Sequence, residues 1–294
     1  MSGNSKDEQV EQMTIDEQDP SDEPGSVRTG GRHARPDAGM SRADMLRLGL
    51  RGTGQTLITA GLIVLLFVVY ELWVTNIFAH EKQSKVHNAL EKEWAQGDDP
   101  LVTGGGKLNL PGGKQGTIPT GTGIANLYIP RLGTDYHFTI VQGTDDGSLE
   151  KGPGHYTGSA LPGGVGNFAV AGHRVGKGEP FLNLDHLRPG DTIVVETKST
   201  WFIYTVKGNL QSGDLNDKGT DGIPGREIVS PSDTNVIAPV PDHPGVTPTE
   251  KMITLTTCHP KFTATQRMIL HGTLARTVQR SGDQLPKELS GGTL

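Results

Sequence analysis

Hydrophobic and polar positions divide the chain into an N-terminal part with one long apolar segment and a later part made of short apolar runs. The long run extends from Leu57 to Phe78, and no charged side chain occurs between Gly52 and Tyr70. That length is sufficient for a helix to cross about 30 Å of hydrocarbon. A core helix would carry polar positions at helical spacing, which are almost absent here. The pattern therefore predicts a transmembrane helix over residues 52–79.

The residues on either side of this predicted helix indicate its orientation. Five arginines precede it closely and three lysines follow it in a similar window (Arg32, Arg35, Arg42, Arg47, Arg51; Lys82, Lys85, Lys92). The positive-inside rule then favours a cytoplasmic N-terminus and an extracytoplasmic remainder. The leader is too long for an ordinary signal peptide, and no clean cleavage site follows the apolar run, so an uncleaved membrane anchor is favoured.

Composition assigns the remaining segments. Residues 1–51 begin acidic, become arginine-rich and show no apolar periodicity, which predicts a disordered cytoplasmic tail. Residues 80–123 begin with a charged stretch of helical periodicity and continue as a Gly-, Thr- and Pro-rich spacer, so we interpret them as an extracytoplasmic stalk or linker. A folded domain is predicted over 124–276, followed by a flexible C-terminal tail, 277–294.

The folded domain contains eight candidate strands separated by Gly and Pro clusters, with no long amphipathic helix between them. The candidates are Ala125–Ile129, His137–Gln142, Asn167–Ala171, Thr192–Thr197, Trp201–Lys207, Arg226–Val229, Met252–Thr257 and Gln266–Leu274. This spacing predicts an all-β domain, either a closed β-barrel or a sandwich. One short helix is predicted over Phe181–Leu187, and Leu210–Pro248 is predicted to be a long loop of functional use.

Cys258 is the only cysteine in the 294 residues, and it directly follows the strand candidate Met252–Thr257. Side chains alternate along a strand, so if Ile253 and Leu255 face the core, the thiol lies on the opposite, open face. A free cysteine is usually a small buried hydrophobic residue. However, a lone thiol in an exported domain can form no intramolecular disulfide, which favours a reactive role.

A thiol nucleophile needs a base or an imidazolium to hold it as a thiolate. Among the ten histidines, His173 follows the apolar strand Asn167–Ala171 after one glycine, which parallels the placement of Cys258. His259 adjoins Cys258 but points to the opposite face. Arg267 begins the next strand, and in a hairpin it would lie opposite the thiol, on the same face. An arginine there could stabilise an oxyanion or position a substrate carbonyl.

Three short motifs carry a family resemblance. The sequence T-L-T-T-C at Thr254–Cys258, Arg267 after eight further residues, and A-G-H-R at Ala171–Arg174 resemble the signature of sortases, most closely the class E sortases of high-GC Gram-positive bacteria. The order of the His, Cys and Arg residues and the N-terminal anchor agree with that family. The resemblance implies a mainly β fold: a closed eight-stranded sortase-type β-barrel with short helices, preceded by one transmembrane helix.

For function, the resemblance implies a membrane-anchored cysteine transpeptidase without cofactor or metal. Cys258 would attack a C-terminal sorting signal of the LAXTG or LPXTG type between Thr and Gly, forming a thioacyl-enzyme. His173 would act as acid and base, and Arg267 would hold the oxyanion or the peptide. Thr257 and Tyr128 are the expected substrate-binding residues, Tyr128 for the preference for LAXTG. The acceptor would be the amine of a peptidoglycan precursor of the lipid II type.

Other functions receive less support or stay open as alternatives. A pilin-polymerising sortase, a cysteine protease and a non-catalytic anchored peptide-binding module remain possible readings of the same residues. Asp99-Pro100-Leu101 lacks the aromatic residue of the lid in pilin-polymerising sortases, and Asp214–Gly222 lacks the glutamate that closes a calcium loop. Neither a phosphate-binding glycine loop nor a basic patch interleaved with aromatic residues occurs, so nucleotide and nucleic-acid binding are not expected.

Overall fold

The structure, a computed structural model, describes residues 41–70, 75–101, 109–110, 114–115, 118–282 and 284–290. The chain divides into two units, residues 1–57 and 58–294. The predicted tail lies outside the described residues as far as residue 40, as do residues 71–74 of the predicted membrane helix and much of the predicted spacer.

Helix α1 (Arg42–Val69) contains the apolar segment. It has 28 residues, its most apolar window has a mean hydropathy of 1.9, and none of that window is buried. Among the described residues it is the one helix long and apolar enough to cross a membrane. It begins inside the predicted tail, and a second helix, α2 (Thr75–Ala95), follows the undescribed residues.

Most strands of the domain are short, as the Gly and Pro residues between the candidate strands predict. Two of them, β1 (Asn109–Leu110) and β2 (Lys114–Gln115), pair only with each other. The others are β3 (Gly123–Tyr128), β4 (His137–Gln142), β5 (Gly154–His155), β6 (Gly166–Ala171), β7 (Thr192–Glu196), β8 (Thr200–Val206), β9 (Arg226–Val229), β10 (Lys251–His259) and β11 (Gln266–Gln279). Helix α3 (Asp146–Leu149) and 3-10 turns at Pro130–Leu132, Leu184–His186 and Asn235–Ile237 connect them.

Eight of these strands form a closed β-barrel, which confirms the predicted fold. Around the ring the order is β10, β6, β5, β4, β3, β7, β8 and β11, and β11 pairs with β10 to close it. Strand β9 pairs with β11 beside the end of β8 and lies outside the ring. The sequence predicts seven ring strands and β9, but not β5, because two residues are too few to show an alternating pattern.

The outer face of β3 and β4 is covered by helix α2, within the segment interpreted as a stalk. Leu90 is only 1% exposed. It lies against Gly123, where an added Cβ would be 3.4 Å from that of Leu90. The Gln83 side chain donates to the carbonyl oxygen of Thr139 and accepts from its amide. Apolar burial and these hydrogen bonds therefore dock α2 on the barrel.

The C-terminal residues also contact the barrel. Strand β11 continues to Gln279, inside the segment predicted to be a flexible tail, and Leu289 packs against the cluster of Val194, Trp201 and Ile203. Residue 283 and residues 291–294 lie outside the described residues.

Alternation along β10 determines which residues face the barrel interior. Ile253 and Leu255 belong to the core, as predicted, whereas Thr254 lies on the outer face. Thr254 is nevertheless fully buried, because it donates to the side chain of Asn167, whose amide donates to the carbonyl of Ala238 in the long 210–248 loop. Part of the loop thus lies against the outer face beside Thr254.

Candidate active site

Cys258 lies near the C-terminal end of β10, on the face away from the core. It is a free, half-buried cysteine. Strand β10 runs between β6 on one side and β11 on the other. Side chains from the ends of both neighbouring strands can therefore approach the thiol from opposite sides.

Arg267 is the direct cross-strand partner of Cys258 in the antiparallel β10–β11 hairpin. Directly opposed residues of such a pair point to the same face. Met268 and Leu270 face the core, which agrees with the predicted orientation of Arg267. Its Nη1 donates to the carbonyls of Ala264 (3.1 Å) and Gln266 (3.0 Å), so the guanidinium is held by the connecting loop and the first residue of β11.

His173 comes from the other side, where β6 runs parallel to β10. The last recorded pair is Ala171 with Thr256, and the amide of Gly172 then donates to the carbonyl of Thr256 at 3.0 Å. His173 and Cys258 each lie two residues beyond that last pair. Because both residues follow the last paired residues of β6 and β10 at the same spacing, the imidazole and the thiol extend from the same end of these neighbouring strands.

The surroundings of His173 favour the neutral imidazole. The ring is half-buried, and its Nε2 is buried without a hydrogen-bond partner in the described part of the chain. Burial lowers the pKa of His173, and the charge of Lys177 lowers it further, against opposing effects of Asp146 and Glu150. A buried ring nitrogen without a partner among the described residues is suited to exchange a proton with a reacting group.

Thr257 points to the opposite side of β10 from the thiol. Its hydroxyl is buried and donates to the carbonyl of Gly172 at 2.8 Å. This bond joins the ends of β6 and β10. That Thr257 also binds substrate stays a prediction.

Tyr128 is not brought together with the other predicted site residues. It ends β3, which is separated from β10 by three strands in either direction around the ring. The side chain lies on the outer face, where its hydroxyl donates to Glu196 at 2.7 Å and its ring stacks on His137. The placement does not support a role in selecting the peptide, because Tyr128 lies on the far side of the barrel.

Two residues not singled out by the sequence lie at the site. The Tyr156 hydroxyl is 2.9 Å from that of Thr256, which shares the outer face with Cys258. Arg174 is 4% exposed, and its guanidinium reaches the carbonyl of Cys258 and the ring of His259. Tyr156 stands in a loop without periodicity, so no pattern indicates it. Arg174 forms part of the A-G-H-R motif, but only its contacts reveal a role.

No group of three or more His, Cys, Asp or Glu side chains arranged to hold a metal ion occurs among the described residues. The chemistry available at this site is that of a thiol, an imidazole and a guanidinium. Together they can attack a carbonyl carbon, give a proton to the departing group and stabilise the developing negative charge.

Comparison with known proteins gives consistent matches. A family model described as "Sortase domain" matches residues 127–275. Sortase SrtE2 of Streptomyces coelicolor is 34% identical over 268 residues, which cover 89% of this chain and 94% of that protein. Sortase SrtE1 of the same organism is 35% identical over 238 residues, or 79% of this chain, which spans only 58% of that longer relative. Among solved structures, the SrtF sortase from Corynebacterium diphtheriae is 40% identical, with a TM-score of 0.54, over 61% of this chain and 97% of its own.

Proposed function

Because this chain belongs to the sortase family, whose members are cysteine transpeptidases, we propose that it cleaves a C-terminal sorting signal and joins the new end to an amine. The signal is of the LAXTG or LPXTG type, cut between Thr and Gly. The acceptor is the amine of a peptidoglycan precursor of the lipid II type. The observation that carries this proposal is the position of Cys258 at the end of β10, between the strand ends that bear His173 and Arg267.

The reaction divides into two acyl transfers. A proton passes from Cys258 to His173, and the thiolate attacks the Thr carbonyl carbon. The C–N bond breaks, and the imidazolium gives its proton to the departing Gly amine, leaving a thioester on Cys258. The neutral imidazole then accepts a proton from the incoming amine as that nitrogen attacks the thioester. The departing thiolate recovers the proton from His173.

Arg267 is proposed to stabilise the charge that develops in both transfers. A guanidinium on the same face as the nucleophile can donate to the oxyanion, and one such donor contributes roughly 3–4 kcal/mol in acyl-transfer sites. Tyr156 is the aromatic residue best placed to contact the peptide, because its hydroxyl bonds Thr256 on the face of the thiol.

Helix α1 is proposed to anchor the enzyme, with the N-terminus in the cytoplasm and the barrel on the outer surface. The support is the length and apolar composition of the helix, and the excess of arginine before its apolar run. Tethering raises the local concentration of the enzyme for substrates held in the same membrane.

The test uses the full chain in detergent micelles, incubated with LAXTG and LPXTG peptides, with and without a Gly or diaminopimelate amine. Mass spectrometry should detect a thioacyl adduct and, with amine, the amide product, and Cys258→Ala and His173→Ala should abolish both. Hydrolysis of the peptide with no amide product, even when amine is added, would instead identify a protease. Binding without cleavage, unchanged in Cys258→Ala, would identify a binding module, and a requirement for a lysine acceptor would identify a pilin polymerase.

A further inference from the structure

Arg174 is a buried cation in contact with the nucleophile's strand. Its Nη1 lies 2.8 Å from Nδ1 of His259 and 3.4 Å from the carbonyl oxygen of Cys258, and its Nη2 lies 3.1 Å from a carboxylate oxygen of Asp185. A guanidinium only donates, so Nδ1 of His259 accepts and that ring is neutral. A buried charge is costly unless it is paired and hydrogen-bonded. The contacts of Nη1 and the ion pair of Nη2 offset that cost at the site itself, although Nε is buried without a hydrogen-bond partner among the described residues.

The guanidinium bonds at the point where the β6–β10 ladder has ended. Beyond the last pair, two hydrogen bonds join the segments that follow β6 and end β10. The amide of Gly172 donates to the carbonyl of Thr256, and the hydroxyl of Thr257 donates to the carbonyl of Gly172. Arg174 to Cys258 is the next bond in this series. It connects the residue after His173 to the residue that carries the thiol, so it acts on the two elements whose separation decides the chemistry.

Asp185 extends this connection to the loop that follows Cys258. Its carboxylate lies 3.1 Å from Arg174 and 3.7 Å from Nζ of Lys261. Burial acts to raise the pKa of Asp185, but backbone hydrogen bonding and the charges of Arg174 and Lys261 outweigh it and keep the pKa below its usual range. The ionised carboxylate thus anchors Arg174 on one side and the β10–β11 loop on the other.

We propose that Arg174 is a positioning residue for the transfer reaction: by bonding the backbone of Cys258 and the ring of His259, it holds the thiol within reach of the imidazole of His173. The expected fall in kcat rests on the proposed function, whereas the expected displacement of the thiol from His173 rests on geometry alone. Arg174 itself contacts no reacting atom. Its loss therefore acts through the distance between the two side chains, where an error of about 1 Å can reduce the rate by on the order of 100-fold.

The experiment compares the full chain in detergent with Arg174→Gln, Arg174→Lys and the control Arg131→Gln. Arg131 forms an ion pair with Asp191 that is more exposed and belongs to other elements. We expect Arg174→Gln to lower kcat by roughly 10- to 100-fold with KM changed by less than about twofold. Arg174→Lys, which keeps the charge but not the fork, should recover part of that loss, and Arg131→Gln should match the wild type.

A second readout follows alkylation of Cys258 by iodoacetamide across pH. These variants leave Lys177, Asp146 and Glu150, the charges around His173, in place. In the wild type, the alkylation rate as a function of pH should show the influence of the His173 imidazole. That influence should be absent in His173→Ala and equally absent in Arg174→Gln. The double variant should then behave as His173→Ala does, because the two changes act through one contact.

Several results would overturn the proposal. One is a folded Arg174→Gln protein whose kcat and alkylation profile equal those of the wild type. Another is an Arg174→Gln protein whose kcat falls only in proportion to its unfolded fraction, while its alkylation profile keeps the wild-type shape. If Arg174→Gln does not fold, Asp185→Asn removes the anchor of Arg174 instead, and an unchanged kcat there overturns the proposal equally. A wild type that alkylates with an imidazole-dependent profile but transfers no peptide refutes the proposed function, while the alkylation comparison still decides the role of Arg174.

Discussion

Cys258 and Arg267 face each other directly across the β10–β11 hairpin. Directly opposed residues in an antiparallel pair have Cβ atoms about 4.5–5.5 Å apart and share one face. The hairpin therefore determines the relation between the thiol and the guanidinium by itself, without any contribution from distant elements. The carbonyls of Ala264, in the connecting loop, and Gln266, at the start of β11, further hold the guanidinium in place.

Replacing Arg267 should impair acylation far more than folding. We expect Arg267→Gln to lower kcat/KM by roughly 100- to 1,000-fold, because an oxyanion donor is lost, and Arg267→Lys to recover only part of it, since an ammonium lacks the planar fork. Arg276→Gln, on the same strand but paired with Glu288, is the matched control. Thioacyl formation with a sorting peptide measures the effect, and a value for Arg267→Gln within threefold of the wild type would contradict the assigned role.

Two charge changes should move the pKa of His173 in opposite directions. Lys177→Met removes a charge that lowers this pKa and should raise it, whereas Glu150→Gln removes one that raises it and should lower it further. The folded-state pKa lies below the unfolded value of about 6.5. The stability tied to this group is thus complete above that value and is lost as pH falls from there towards the folded pKa.

The measurement is an NMR titration of the His173 ring, together with unfolding midpoints across the same pH range. Lys177→Met should narrow the window over which stability is lost, and Glu150→Gln should widen it. Lys251→Met, at the opposite end of β10 from the thiol, serves as the control. Shifts of the same sign in the first two variants would show that another cause dominates.

Removing the Tyr156 hydroxyl should affect substrate binding more than turnover. Tyr156→Phe loses the contact with Thr256 on the face of the thiol, so KM for the sorting peptide should rise with a smaller change in kcat. Tyr136→Phe is the control, since it also loses a buried hydroxyl bond, to the carbonyl of Pro180. Each variant should lose about 1 kcal/mol of unfolding free energy. An equal KM for both variants would exclude a peptide-contacting role for Tyr156.

Truncating the α2 contact should destabilise the barrel. Leu90→Ala removes a side chain that is 1% exposed, and we expect a loss of about 3 kcal/mol in the free energy of unfolding. Leu285→Ala, where the side chain is 50% exposed, should change it by less than about 0.5 kcal/mol. Urea denaturation measures both, and equal effects would mean that α2 does not support the fold.

Local pattern was sufficient for part of the site. Alternation along β10 and β11 predicts that Cys258 and Arg267 share the outer face, because a hairpin's register follows from adjacent strands. The local pattern of apolar and polar residues also predicts most ring strands and the apolar helix α1. These features depend on residues that are near one another along the chain.

The relation of His173 to Cys258 was decided only by the tertiary structure, since β6 and β10 are parallel neighbours that three other strands separate along the chain. The same holds for Arg174, whose burial and contacts arise from three separate segments, and for Tyr128, which closure of the ring puts on the far side. Sequence alone determined which side of each strand is apolar and which residues could do the chemistry. Which strand ends meet depends on how the barrel closes and packs its core, and no local periodicity encodes that closure.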